Sequence, residues 1–137
     1  MCRKIFRGKR LDNEAWVYGD LIENQGRYFI YHAMSETTIE DNDDGRIVVA
    51  AVEVDPATVG QYTGLQDKNG KKIFEGDILA FVGTENPKAF FVIVEWDARL
   101  CCYYLRRMDV NICNRYGFFP SSYTLEGDIH DNPDLLK

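Results

Sequence analysis

No stretch of the chain approaches the ~20 consecutive apolar residues that a transmembrane helix requires, which excludes a helical membrane span. The basic opening, Met1-Cys-Arg-Lys-Ile-Phe-Arg-Gly-Lys-Arg10, lacks the apolar core of a secretory signal, so the cytoplasm is the expected location. Cysteine is scarce. Cys2, Cys101, Cys102 and Cys113 are too few for a disulfide scaffold and are expected to be small buried thiols. The adjacent Cys101 and Cys102 would face opposite sides of a strand, which speaks against a shared metal ion. Gly117 and Gly127 each stand alone in their turns, so no glycine-rich phosphate loop is present. No nucleophile stands at a recognisable spacing from a base, and no cofactor is called for. The first half of the chain carries no long apolar repeat of helical period.

What is present fits one globular domain over residues 1–137, with a basic segment at 1–10 and an acidic loop at 35–45. The net charge of −6 speaks against broad nucleic-acid binding, because most non-specific affinity for nucleic acid comes from cations that neutralise phosphates. Charge is nonetheless uneven. Arg3, Lys4, Arg7, Lys9 and Arg10 crowd the first ten residues and read as a solvated tail; Glu36, Glu40, Asp41, Asp43 and Asp44 read as a solvated loop.

Short runs rich in aromatic and branched residues, separated by turn residues, predict strands. They are Trp16 to Ile22, Tyr28 to His32, Arg46 to Val54, Phe90 to Trp96, Leu100 to Leu105 and Tyr123 to Ile129, with Met108, Val110 and Ile112 alternating in between and Gly117 to Ser122 breaking the pattern. Phe90 to Trp96 and Leu100 to Leu105 are apolar on both faces. They predict the centre of a barrel or sandwich, or else a face shared with a second copy of the chain. Asn132-Pro133 predicts a short helical turn with Asn132 as its cap, and Leu135 and Leu136 pin the terminus to the core.

Turn signals are densest from Val54 to Leu79, which we read as a structural hub. Asp55-Pro56 ends a strand at Val54. Asn69-Gly70 predicts a type I′ hairpin turn within an exposed loop from Asp67 to Lys71. Gly60 and Gly64 belong to the same hub. A Gly-Asp-aliphatic step occurs three times, at Gly19-Asp20-Leu21, Gly76-Asp77-Ile78 and Gly127-Asp128-Ile129, with irregular spacing that excludes a short-period solenoid. It predicts turns that lead into strands, and Gly76, Asp77, Gly127 and Asp128 complete the hub. A metal site built from Asp20, Asp77 and Asp128 is the alternative for these carboxylates.

The series Phe6-Arg7-Gly8-Lys9, Trp16-Val17-Tyr18-Gly19, Val54-Asp55-Pro56, Thr58 to Leu65, Asp67-Lys68-Asn69-Gly70, Ile73 to Ile78 and Gly127 to Pro133 resembles the YopX family of phage and prophage proteins. The resemblance implies a mostly β, barrel-like domain of short antiparallel strands, with SH3-like character as the narrower reading. It implies no activity and carries no catalytic residue.

Three functions follow from these readings. The first is a non-enzymatic binding module that engages a host or phage protein. The second is nucleic-acid binding through the basic N-terminus and exposed aromatics such as Trp16, Tyr28 and Tyr31. The third is a carboxylate-based enzyme using Glu75, Asp77 and Asp128 with His130. For His32 a satisfied structural role is expected.

Overall fold

A computed structural model describes residues 5–33, 49–81, 91–107, 115–116 and 122–136. The expected acidic loop at 35–45, the alternation from Met108 to Ile112, the break at 117–121 and the residues Cys2 and Cys113 lie outside the described residues. The chain divides into two compact units, residues 3–61 and 62–137. Its strands are β1 (Phe6–Lys9), β2 (Trp16–Asn24), β3 (Arg27–Ala33), β4 (Val49–Val54), β5 (Gly60–Gln66), β6 (Lys72–Phe74), β7 (Asp77–Phe81), β8 (Phe91–Asp97), β9 (Cys102–Arg107), β10 (Arg115–Tyr116) and β11 (Tyr123–Asp128). They form two antiparallel sheets, ordered β4-β3-β2-β1-β5-β6 and β10-β9-β8-β7-β11. The fold is mostly β, as expected. The barrel is corrected to open sheets, since the described strands close no continuous ladder.

In the unit of residues 3–61, β1 corrects the solvated tail. Phe6 to Lys9 pairs with β2 in register Phe6↔Gly19 to Lys9↔Trp16, and Arg7 is buried. Alternation puts Phe6 and Gly8 on one side of this strand and Arg7 and Lys9 on the other. On the inner side Ile30 and Val54 are fully buried, and a Cβ on Gly8 would lie 2.9 Å from a Val54 methyl. Gln25 and Gly26, both at positive φ, form a two-residue hairpin loop between the paired Asn24 and Arg27. That is the type I′ geometry, whose twist matches the strands it joins. Strand β4 ends at Val54 as expected. Asp55 accepts a hydrogen bond from Ala57 N at 3.0 Å, and Pro56–Thr58 makes one 3₁₀ turn. Val54 also bridges Arg10, so the ladder that leaves β1 through β2 and β3 returns to the end of β1 at a single point.

In the unit of residues 62–137, the core consists of Ile73, Leu79, Val92, Val94, Leu105 and Tyr123, with Phe81, Tyr103 and Leu125 packed against it. Register explains the set apart from Ile73, which comes from β6. Val92, Val94 and Trp96 of β8 lie opposite Arg107, Leu105 and Tyr103 of β9 on one face, and Leu79 lies opposite both Val92 and Leu125 on the same face. Each fully buried aliphatic side chain here contributes about 1.5–3 kcal/mol relative to exposure. Strand β9 begins at Cys102, two residues later than the expected start at Leu100, because Leu100 and Cys101 belong to the hairpin loop. Asp97 pairs with Cys102, Cys101 sits in the loop at φ 51, and both thiols are exposed instead of buried. At the C-terminus Pro133–Leu136 forms the expected turn, but its leucines are only half-buried, and Asn132 Oδ1 accepts from Asp128 N at 3.2 Å.

Candidate functional site

Two of the three aspartates that sequence reading offered as catalytic or metal-binding groups, Asp77 and Asp128, are occupied by backbone. Asp77, 1% exposed, accepts a hydrogen bond from Phe74 N at 2.7 Å. Asp128 Oδ1 accepts from His130 N at 2.9 Å and from Asp131 N at 2.8 Å. The two residues are direct partners across β7 and β11, so the structure does bring them together. Their oxygens hold a turn at each strand end, and His130 takes part through its backbone amide. A carboxylate that accepts from backbone amides is fixed in place, which suits turn geometry better than proton transfer to a substrate. Asp20, the third member of the carboxylate set, lies on β2 in the unit of residues 3–61 and is exposed. Among the described residues no three His, Cys, Asp or Glu side chains are grouped to hold a metal ion.

The hub residues occupy different kinds of position. Gly60 is buried at the start of β5, opposite Arg7. Gly64 lies where the β5–β6 ladder shifts register, and Gly127 flanks a similar shift between β11 and β7. Gly76 adopts φ 91, a conformation that side chains disfavour, and its peptide is gripped on both sides. Its N–H donates to Val94 O at 2.8 Å, and its carbonyl accepts from Ile129 N at 3.0 Å.

The turn expected at Asn69-Gly70 needs correction. Only Gly70 has positive φ, Gly70 N donates to Asp67 O, and Asp67 N donates to Lys71 O, which makes a three-residue loop with glycine at its left-handed position. The cause is Asp67. Read from sequence as exposed, it is 6% exposed, and it accepts from Asn69 N, Lys71 N and Leu125 N at 2.8–2.9 Å. Burial pushes its carboxyl up, but those three amides and the Lys71 charge outweigh burial and hold it below the usual carboxylate range. Lys68 N adds a bond to Tyr123 O, so this loop lies along the outer edge of β11.

A different kind of surface occurs in the unit of residues 3–61. Alternation along β2 and β3 places Trp16, Tyr18, Asp20 and Ile22 on one face with Phe29 and Tyr31, opposite the side that buries Ile30. Tyr18 is 49% exposed and Ile22 43%. Cations lie over the rings of this face. The Arg7 guanidinium is 4.5 Å and Lys9 Nζ 5.4 Å from the Trp16 ring centre, and the Arg27 guanidinium is 5.2 Å from that of Phe29. Arg27 also forms a fork with Glu53, at 2.6 and 3.0 Å. Of the aromatics expected for stacking, Trp16 and Tyr31 share this face, whereas Tyr28 points to the other side. Sequence reading missed Tyr18 and Ile22. The signal was the strict two-residue alternation from Trp16 to Asn24, which shows which residues share a face and leaves open which face is outward.

In the unit of residues 62–137 a second aromatic corner stands at the hairpin end of β8 and β9. Trp96 and Tyr103 are register partners with ring centres 4.9 Å apart and planes 65° apart. Burial, and then the Glu75 carboxylate, push the Tyr103 hydroxyl up to about 12. On the opposite face of the same strands Glu95 binds Tyr104 Oη at 2.5 Å and Arg106 Nε at 2.6 Å.

A family model described as YopX protein matches residues 5–137. Among solved structures, the crystal structure of protein EF1440 from Enterococcus faecalis is similar over 100% of both chains, with a TM-score of 0.60 and 20% identity. At that identity the likeness extends to the fold alone. No curated protein matches the chain.

Proposed function

Because the chain belongs to the YopX family, whose name specifies no reaction, we propose from its own geometry that it is a non-enzymatic binding module that engages a protein. The observation that carries this is the outward face of β2 and β3, where Tyr18 and Ile22 stand exposed beside Trp16, Phe29 and Tyr31. Apolar and aromatic area held on a rigid sheet gains free energy when a partner covers it, and aromatic anchors dominate such contacts. The partner is a host or phage protein in the bacterial cytoplasm, the setting that the family resemblance suggests. Residues 1–137 act as one domain, with the hub from Gly60 to Gly76 and Asp77, and Gly127 to Asp128, as its scaffold. An SH3-like character goes with the proposal, and the Arg10–Val54 bridge, which returns the ladder to its start, supports it.

Affinity capture from the host, with Tyr18→Ser/Ile22→Ser as the comparison, tests the reading. The wild type should retain a protein that the variant loses by at least about tenfold, as expected for removal of an interface anchor. Identical retention by the two proteins would refute it.

A second reading, single-stranded nucleic acid on the same face, is favoured by the cations over Trp16 and Phe29. Carboxylates temper it, since Arg27 is paired with Glu53 and Arg10 with Asp12. Affinity for single strands that fell steeply with added salt would support this reading, and affinity indifferent to salt would remove its electrostatic basis.

A further inference from the structure

We propose that Cys101 and Cys102, at the tip of the β8–β9 hairpin, hold a soft monovalent metal ion of the copper(I) class between their two sulfurs. The site lies in the unit of residues 62–137 and does not rest on the β2–β3 face. Both of these adjacent cysteines are exposed. Strand alternation, which argued against a shared ion, does not govern the pair. Cys102 opens β9 as the register partner of Asp97, whereas Cys101 belongs to the loop and adopts φ 51. Consecutive side chains must face opposite sides only where both residues are extended, so the left-handed Cys101 is released from that constraint.

The loop that carries the pair is braced by one side chain. Asp97, 6% exposed, accepts through Oδ1 from Arg99 N at 2.9 Å and from Leu100 N at 3.3 Å. The hairpin tip is thereby fixed without the use of either sulfur. Cys101 Sγ makes one long contact, to Ala98 O at 3.6 Å, and a thiol is a weak donor that gives up such a contact at little cost.

Chemistry selects the ligand. Adjacent Cα atoms lie about 3.8 Å apart across a trans peptide, below the usual disulfide separation of roughly 4.4–6.8 Å. A direct S–S bond would also draw the sulfurs to about 2.05 Å, whereas two metal–sulfur bonds of about 2.3 Å each accept sulfurs up to about 4.6 Å apart. An interposed ion therefore fits adjacent residues with less distortion. Among the described residues no third His, Cys, Asp or Glu is grouped with the pair. Zinc, which takes four protein ligands or three and a water, is poorly served by two sulfurs. Thiolates favour soft ions, and copper(I) accepts a two-sulfur set. Each thiol releases its proton to water as it ligates, and the copper keeps its oxidation state. Two thiolates around one monovalent cation leave a single negative charge, and the exposed Arg99 supplies a cation in the same loop.

The test titrates the reduced full chain, without oxygen, against copper(I) held by the coloured chelator bicinchoninate. One copper(I) per chain is expected to leave the chelator. Cys101→Ser and Cys102→Ser should each weaken uptake by at least about tenfold, because one sulfur cannot clamp the ion alone. Cys2→Ser/Cys113→Ser should bind as wild type does. Tyr18→Ser/Ile22→Ser should also bind normally, so failure here is separable from failure of the β2–β3 face. If serine at 101 lowers the thermal midpoint, Cys101→Gly, which suits φ 51, takes its place. Uptake unchanged in the Cys101 and Cys102 variants, uptake lost in Cys2→Ser/Cys113→Ser, or an affinity no higher than that of a capped Cys-Cys dipeptide would overturn the proposal.

Discussion

The two units of the chain differ in the carboxylates they bury, which among the described residues all lie in residues 62–137. In residues 3–61, Asp12 and Glu53 sit at the surface in ion pairs with Arg10 and Arg27. In residues 62–137, Asp67, Asp77, Asp97 and Asp128 are buried, and each accepts hydrogen bonds from backbone amides at a turn. Surface pairs are weak because water competes for both partners. A buried carboxylate tied to amides cannot be removed without leaving donors unsatisfied. The contrast teaches that a cluster of buried acids in this protein marks the corners of a scaffold, while the unit poorer in such acids presents the open aromatic face.

The largest expected effect lies outside the carboxylates, at Gly19. A Cβ there would lie 2.1 Å from the Tyr31 carbonyl oxygen, and backbone cannot move aside as a side-chain end can. Gly19→Ala should therefore cost about 3 kcal/mol or more, and an unchanged thermal midpoint would contradict the close approach of β2 and β3.

Asp67→Ala should follow, costing about 2–3 kcal/mol for the amides of Asn69, Lys71 and Leu125 left without their acceptor. The pH dependence has a defined sign. The folded Asp67 carboxyl is held below its ordinary value, so the unfolded chain binds a proton that the folded chain does not. Its contribution is present above about pH 3.9, the unfolded value, and is lost as pH falls through the lower folded value. Denaturant titrations across that acid range should show a flatter acid limb for Asp67→Asn than for wild type.

The smallest effect is expected at Arg27→Ala. Its pair with Glu53 is solvent-exposed, and the thermal midpoint should move within measurement error. A large loss there would erase the distinction between the two kinds of carboxylate.

Some of this was legible in the sequence, and the reasons are local. Asp55-Pro56 marked the end of β4 because proline fixes its own backbone and restricts its predecessor. The strands from Trp16, Tyr28 and Tyr123 were legible from their composition. Asn69-Gly70 misled, because a two-residue signal cannot reveal that the Asp67 side chain claims two amides of the loop and a third from β11, 58 residues away. Strand β1 was hidden by charge. Its four residues carry one cation on each alternate position, which reads as a solvated tail until Trp16 is placed beneath them. The outward face was hidden by symmetry, since both sides of Trp16 to Ile22 contain apolar residues and only pairing with β3 and the burial of Ile30 tell them apart.

The division of labour between scaffold and binding face is tested most directly by measuring stability and partner retention together on two variants. Tyr18→Ser/Ile22→Ser should lose the captured protein and keep the wild-type thermal midpoint. Asp67→Asn should lower the midpoint and, below it, retain the protein as well as wild type does. The reverse assignment, or loss of both properties in both variants, would contradict the account.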